Sequence, residues 1–265
     1  MNQRPNHLLQ LALRNQASAP AQRCQLLANA DNPDTAEVLL KGVISADFGV
    51  GADDLRAALQ MADGRPVRLH INSPGGDVFE AREMQAEMSR YGAPITAVVQ
   101  GLAASAATIV AMAAQRTEIV AGSRYMIHNA WTLAMGNRHD LRAVYDLLAA
   151  IDGELAAEYA ARSADKLTPA QAATLMDAET WWTAQQTVDY GLAAQVLPNA
   201  QPAASAAASA AARAIAARWD LSAYANAPAD PPAALPADDP ETTAQQAQRL
   251  ARLNRSRLAA LLTKN

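Results

Sequence analysis

The sequence predicts an α/β fold: a mainly parallel sheet with helices packed on it. Two observations carry this. Between residues 36 and 198, short apolar runs of strand length alternate with longer segments of helical spacing. Turn residues such as Gly64 and Pro66, Gly92 and Pro94, Gly122 and Gly191 punctuate that alternation. The length of 265 residues suits one sizeable α/β domain with an appendage, or two small domains.

Taken in order, residues 1–34 lack a clear period and contain Pro5, Pro20 and Pro33, which predicts an irregular N-terminal arm (1–35). Val38-Leu39-Leu40 and Val43-Ile44 form a β-like run broken by Gly42, and residues 53–62 have helical spacing with Asp53 as N-cap. A strand follows over Val67–Ile71, then a turn at Asn72–Asp77 and a helix over Val78–Tyr91 stopped by Gly92 and Pro94. Ile95–Val99 reads as strand, Gly101–Ala114 as a small-residue helix, and Glu118–Val120 and Tyr125–Ile127 as short strands. A long helix is expected at about 138–163. Thr168 and Pro169 open another, since Thr caps and Pro suits the first helical position. Trp181-Trp182-Thr183 leads into a helix ending at Gly191, and Ala194–Leu197 is a last strand.

The composition changes after Pro198. Residues 199–240 are mostly Ala, Pro, Ser and Asp, a linker unable to bury varied apolar surface, with Trp219, Leu221 and Tyr224 as a small docking segment within it. Residues 241–265 have helix propensity, with Leu250, Leu253, Leu258, Leu261 and Leu262 roughly on one side.

The formal net charge of −4 argues against a broad nucleic-acid footprint. Cys24 is the sole cysteine, which excludes an internal disulfide and any multi-cysteine metal site. No apolar run approaches the roughly 20 residues that span a bilayer. The first residues read as a leader or arm and not as a secretory signal, so a cytoplasmic setting is expected.

Three turns carry candidate chemistry. Ser73-Pro74-Gly75-Gly76 follows a strand, and its glycines permit close backbone approach or outward N–H groups; alone it equally describes an ordinary strand-to-helix turn. Ser105, among small residues at a helix start, has an accessible hydroxyl with the positive helix end nearby, although a serine in an Ala-rich helix is usually only packing. No Gly-x-Ser-x-Gly elbow is present. His128, at the end of an apolar strand, is by itself a hydrogen-bonded core residue or a base. A serine needs a base to act as a nucleophile near neutral pH, so the two together are more informative than either.

HINSPGGDV, QGLAASAAT, YMIHNA and WWTAQQTVDYGLA, in this order over about residues 36–198, resemble the Clp protease proteolytic subunit family. The resemblance implies a Clp-protease/crotonase-like fold, with a parallel-sheet ββα superhelix, a long handle-type helix and a largely disordered Ala/Pro-rich C-terminal tail. It implies Ser105 as nucleophile, His128 as base, and the Gly76 and Ala106 amides as oxyanion hole, with Gly75 and Asp77 as candidate substrate-binding residues. The family's third triad member, counted back from its Tyr-Gly-Leu motif, falls on Glu179 here in place of aspartate, and Asp177 is the alternative. No metal or organic cofactor is implied. His7, His70 and His139 read as structural or solvated.

The family implies self-association into ring-type homo-oligomers and protein substrates. Glu179-Thr180-Trp181 and the long ends resemble the Clp-like head-maturation proteases of bacteriophages, which implies scaffold or capsid substrates and a prohead-associated place in the host cytoplasm. The alternatives are a housekeeping-type subunit working with an unfoldase, or an inactive capsid-assembly module. A Ser-Lys dyad would have only Lys41, Lys166 or Lys264 to draw on, none in a matching motif, and a crotonase-like acyl-CoA enzyme would not need Ser105 with His128.

Overall fold

Eight strands form one mixed sheet in the computed structural model, which describes residues 24–27, 34–47, 49–198, 221 and 224–228. These belong to the first of two units of the chain, Met1–Ala229; the second, Asp230–Asn265, lies outside the described residues, as do the expected helix at 241–265 and most of the linker. The strands are β1 Cys24–Leu27, β2 Ala36–Lys41, β3 Val67–Ser73, β4 Ile95–Ala104, β5 Arg116–Val120, β6 Arg124–Ile127, β7 Thr180–Thr183 and β8 Gln195–Leu197. The helices are α1 Ala52–Ala62, α2 Val78–Arg90, α3 Ala106–Ala113, α4 Arg138–Arg162, α5 Pro169–Asp177 and α6 Ala184–Asp189.

The sheet order is β1-β2-β3-β4-β5-β8, parallel from β2 onward, with β1 antiparallel at one edge. The long β4 has two partners along its length. Residues 96–99 pair with β5, and residues 102–104 pair with β6, on which β7 closes antiparallel.

Burial follows the period of each element. On β2, buried Ala36, Val38 and Leu40 alternate with partly exposed Glu37 and Leu39, as one covered face requires. Helix α1 buries Leu55, Ala58, Leu59 and Ala62, and α2 buries Ala81, Met84 and Met88, at helical spacing. Helix α3 is buried throughout residues 106–111, with Thr108 the one polar side chain among them. Only Leu155, Ala156, Tyr159 and Ala160 of α4 are buried, so its N-terminal half stands in solvent. No helix among the described residues is long and apolar enough to cross a membrane.

Three expectations need correction. The expected irregular arm contains β1, whose Cys24 and Leu26 pack on the core while the strand pairs with the open edge of β2. The expected helix at 101–114 begins only at Ala106. Residues 101–104 instead extend β4, because pairing with β3 and β6 overrides the helix propensity of alanine. The N-cap of α1 is Gly51, whose N–H donates to Asp54 Oδ2 at 2.9 Å; Asp53 lies inside the helix.

Candidate active site

Strand register assembles the site. Ala104 pairs with Met126 across the parallel β4–β6 ladder, so the chain leaves both strands side by side. The Ser105 N–H donates to the Met126 carbonyl at 2.9 Å, and beyond β6 the His128 Nε2 stands 2.7 Å from Ser105 Oγ. Antiparallel pairing of Ile127 with Thr180 brings Glu179 to the same corner. Pairing of Ser73 with Ala103 lays the 74–76 turn against the serine segment.

Ser105 adopts φ 54° and ψ −127°, a conformation rare for a residue with a side chain and worth about 1–3 kcal/mol of strain. The bend turns the chain sharply from β4 into α3, leaving the serine partly exposed at the helix N-terminus. Its carbonyl is held by the Thr108 N–H at 2.9 Å and the Thr108 hydroxyl at 2.6 Å. The Thr108 hydroxyl is itself 2.5 Å from the phenol oxygen of Tyr159, a fully buried residue of α4 whose pKa is pushed up by that burial.

The glycines of the turn are required by contact. A Cβ on Gly75 (φ 91°) would lie 2.8 Å from Ser105 Cβ and 2.9 Å from the Ala106 nitrogen. A Cβ on Gly76 (φ 149°) would run into the Ile44 carbonyl. Ile44 brackets the turn, donating its N–H to the Gly75 carbonyl and accepting from the Asp77 N–H, both at 2.9 Å. The Asp77 carboxylate caps α2, accepting from Phe79 N–H at 2.7 Å and Glu80 N–H at 3.2 Å.

Burial holds the His128 pKa below the ordinary imidazole range, while the Glu179 charge opposes that shift. The imidazole is therefore neutral near pH 7, the form that accepts a proton from a serine. Both candidate third members are engaged elsewhere. Glu179, itself at φ 48°, accepts from Trp181 Nε1 at 3.2 Å and from the N–H groups of Ala225 at 3.0 Å and Asn226 at 2.7 Å. Exposed Asp177 accepts from Asn129 Nδ2 at 2.7 Å. Neither carboxylate hydrogen-bonds to His128. The structure thus joins Ser105 with His128, keeps Glu179 close enough for its charge to act on the imidazole, and places Asp177 on Asn129.

Of the other candidates, His70 is paired with Glu37, His139 lies in the exposed first turn of α4, and His7 is outside the described residues. Lys166 donates to the Val188 carbonyl at 3.1 Å, and Lys264 is outside the described residues. Among the described residues, no three His, Cys, Asp or Glu side chains are grouped to hold a metal ion. Sequence reading missed Thr108 and Tyr159. A threonine three residues after the serine was a visible signal, whereas Tyr159 carried none. Tyr224, read only as a docking aromatic, lies against His128.

With a base on its hydroxyl and backbone amides nearby, this arrangement can perform acyl transfer. Comparison with known proteins agrees in kind. Residues 51–200 match the Clp protease family. The ATP-dependent Clp protease proteolytic subunit of Bacteroides fragilis is 29% identical over 155 residues, covering 55% of this chain and 72% of that protein. The proteolytic subunit 2 of Treponema pallidum is 27% identical over 167 residues, covering 62% and 83%. A solved ClpP1 mutant from Listeria monocytogenes superposes with a TM-score of 0.55 at 20% identity, over 62% of this chain and 92% of its own, a likeness of fold.

Proposed function

Because this chain belongs to the Clp protease family, and so to a family of peptidases, we propose that it is a serine endopeptidase with Ser105 as nucleophile and His128 as base. The observation that carries this is the 2.7 Å contact between His128 Nε2 and Ser105 Oγ. Ser105 Oγ attacks the scissile carbonyl while Nε2 takes its proton, then returns it to the leaving amine. Water repeats the sequence in reverse to release the acyl group. The Gly76 and Ala106 amides hold the oxyanion, and Glu179 steadies the imidazolium. No step needs a metal or an organic cofactor.

Self-association fits the apolar surface that the fold leaves in water. Trp131, Leu133 and Met135 before α4, and Leu141, Tyr145 and Leu147 on its solvent-facing half, are all exposed, which supports a ring-type homo-oligomer. The substrates proposed are scaffold or capsid proteins of a phage head. That reading rests on Glu179-Thr180-Trp181 and on the long stretch of chain after the matched region. A second reading, a subunit fed by an ATP-driven unfoldase, is favoured by the names of the relatives above.

Labelling with a fluorophosphonate probe tests the core assignment: wild type labels and Ser105→Ala does not. No labelling of the assembled wild type would remove Ser105 as an activated nucleophile. Co-expression with phage head proteins, compared with addition of an unfoldase and ATP, separates the two substrate readings.

A further inference from the structure

The chain covers its own catalytic pair with residues that lie far beyond the matched family region. Leu221 and Tyr224 pack on Leu102, Ala104, Met126 and Trp181, the apolar floor where β4 and β6 end. The Tyr224 ring stands edge-on to His128, with centroids 5.6 Å apart at 74°, and edge-on to Trp181 at 5.5 Å and 77°. Its hydroxyl donates to the Pro74 carbonyl at 2.9 Å, in the turn that packs on Ser105. Tyr224 therefore bridges the 74–76 turn and His128, both of which stand against Ser105.

The residues after it take hold of the carboxylate. Ala225 and Asn226 donate their N–H groups to Glu179, and Asn226 Nδ2 donates to the Ala178 carbonyl at 2.8 Å. The Tyr224 N–H donates to the Leu221 carbonyl at 3.0 Å, and the Leu221 and Tyr224 side chains both pack on the apolar floor. Oxyanion turn, base and third carboxylate are all contacted by one short stretch of polypeptide. The Tyr224 ring contacts, its bond to Pro74 and the Asn226 Nδ2 bond to Ala178 depend on those particular side chains.

We infer that Leu221 and residues 224–228 form a tethered occupant of the substrate-binding face, competing with protein substrates and engaging the Glu179 carboxylate through backbone N–H groups. The segment is a peptide of this chain, so the face it fills accepts a polypeptide bearing a large aromatic side chain beside the base. The inference deepens the peptidase reading and rests on it for the word substrate. Its effect is a population effect: where the segment covers nine tenths of the molecules, an incoming peptide binds about tenfold more weakly than to the open face.

The probe is a fluorescein-labelled synthetic peptide, WDLSAYANAP, identical to residues 219–228. Its binding is measured by anisotropy on the assembled full chain carrying Ser105→Ala, with and without Tyr224→Ala. We expect roughly tenfold or greater tightening when Tyr224→Ala vacates the face, and no binding of the peptide made with alanine at its tyrosine. Asn226→Pro, which deletes one N–H to Glu179, is the second variant and also tightens binding. In chains with Ser105 intact, both variants accelerate fluorophosphonate labelling. Equal affinity with and without Tyr224→Ala, or no binding to any form, overturns the inference, and so does slower labelling in both variants. If no form labels yet the peptide still discriminates between the variants, the occupant stands and the peptidase reading falls. If labelling is normal and the peptide does not discriminate, the peptidase reading stands and the occupant falls.

Discussion

The Thr108 hydroxyl donates to the carbonyl of Ser105 at 2.6 Å, tying the strained serine to the first turn of the helix it begins. The same hydroxyl meets the Tyr159 phenol, so the bend at Ser105 is anchored to α4 across the core. Thr108→Val keeps the volume, frees the Ser105 carbonyl from one partner and strands a buried phenol. Stability should fall by about 1–3 kcal/mol. Tyr159→Phe leaves the Thr108–Ser105 bond in place and should cost less. Thermal melts of the two variants beside the wild type check the ranking; equal losses would contradict it.

The rate of Ser105 labelling should rise with pH and level off as His128 loses its proton. Burial lowers that pKa, so the plateau should be reached below the ordinary imidazole value of about 6.5. Glu179 pulls the pKa the other way, and Glu179→Gln should therefore move the rising limb to lower pH. The linked stability has the same sense. The unfolded chain takes up the His128 proton more readily, so stability diminishes as pH falls below about 6.5 toward the lowered folded value. A limb displaced to higher pH in Glu179→Gln would refute the assignment of that charge.

The two candidate third carboxylates should differ in effect. Glu179→Gln is expected to lower kcat for a peptide ester by roughly 10²-fold or more, because the imidazolium loses its counter-charge. Asp177→Asn, at an exposed site bonded to Asn129, should cost less than Glu179→Gln. Steady-state kinetics on both variants decide the order, and a larger loss at Asp177 would reverse the assignment.

Gly75 and Gly64 make a matched pair with positive φ. A methyl at Gly64 meets nothing within 4 Å, so Gly64→Ala should cost only backbone strain, about 1 kcal/mol. A methyl at Gly75 would press on Ser105 Cβ and Ala106 N, displacing the turn that bears Gly76. Gly75→Ala should therefore lose activity by roughly 10²–10³-fold, as removal of an oxyanion donor does. Labelling of folded protein, confirmed by its melt, reads both, and an active Gly75→Ala enzyme would exclude the turn from the site.

Several elements were legible because their determinants are local. Helix α5 begins at Thr168 because its hydroxyl accepts from the Gln171 N–H at 3.2 Å, and α2 begins where Asp77 caps it. Both caps act within three residues, so sequence alone is sufficient to read them. Ser105 and His128 were legible through ordered motifs whose spacing matches a known family. Tertiary structure decided the rest. Residues 101–104 carry no period that separates helix from strand, and their partners Ser73 and Met126 lie 20 or more residues away in the chain. Cys24–Leu27 becomes a strand only because β2 offers it an open edge. The partner of Glu179 is settled by residues 46 and 47 positions later, through backbone N–H groups that any side chain could accompany. Local side-chain chemistry is written in neighbouring residues, whereas pairing and backbone hydrogen bonds across the fold depend on which distant segments meet.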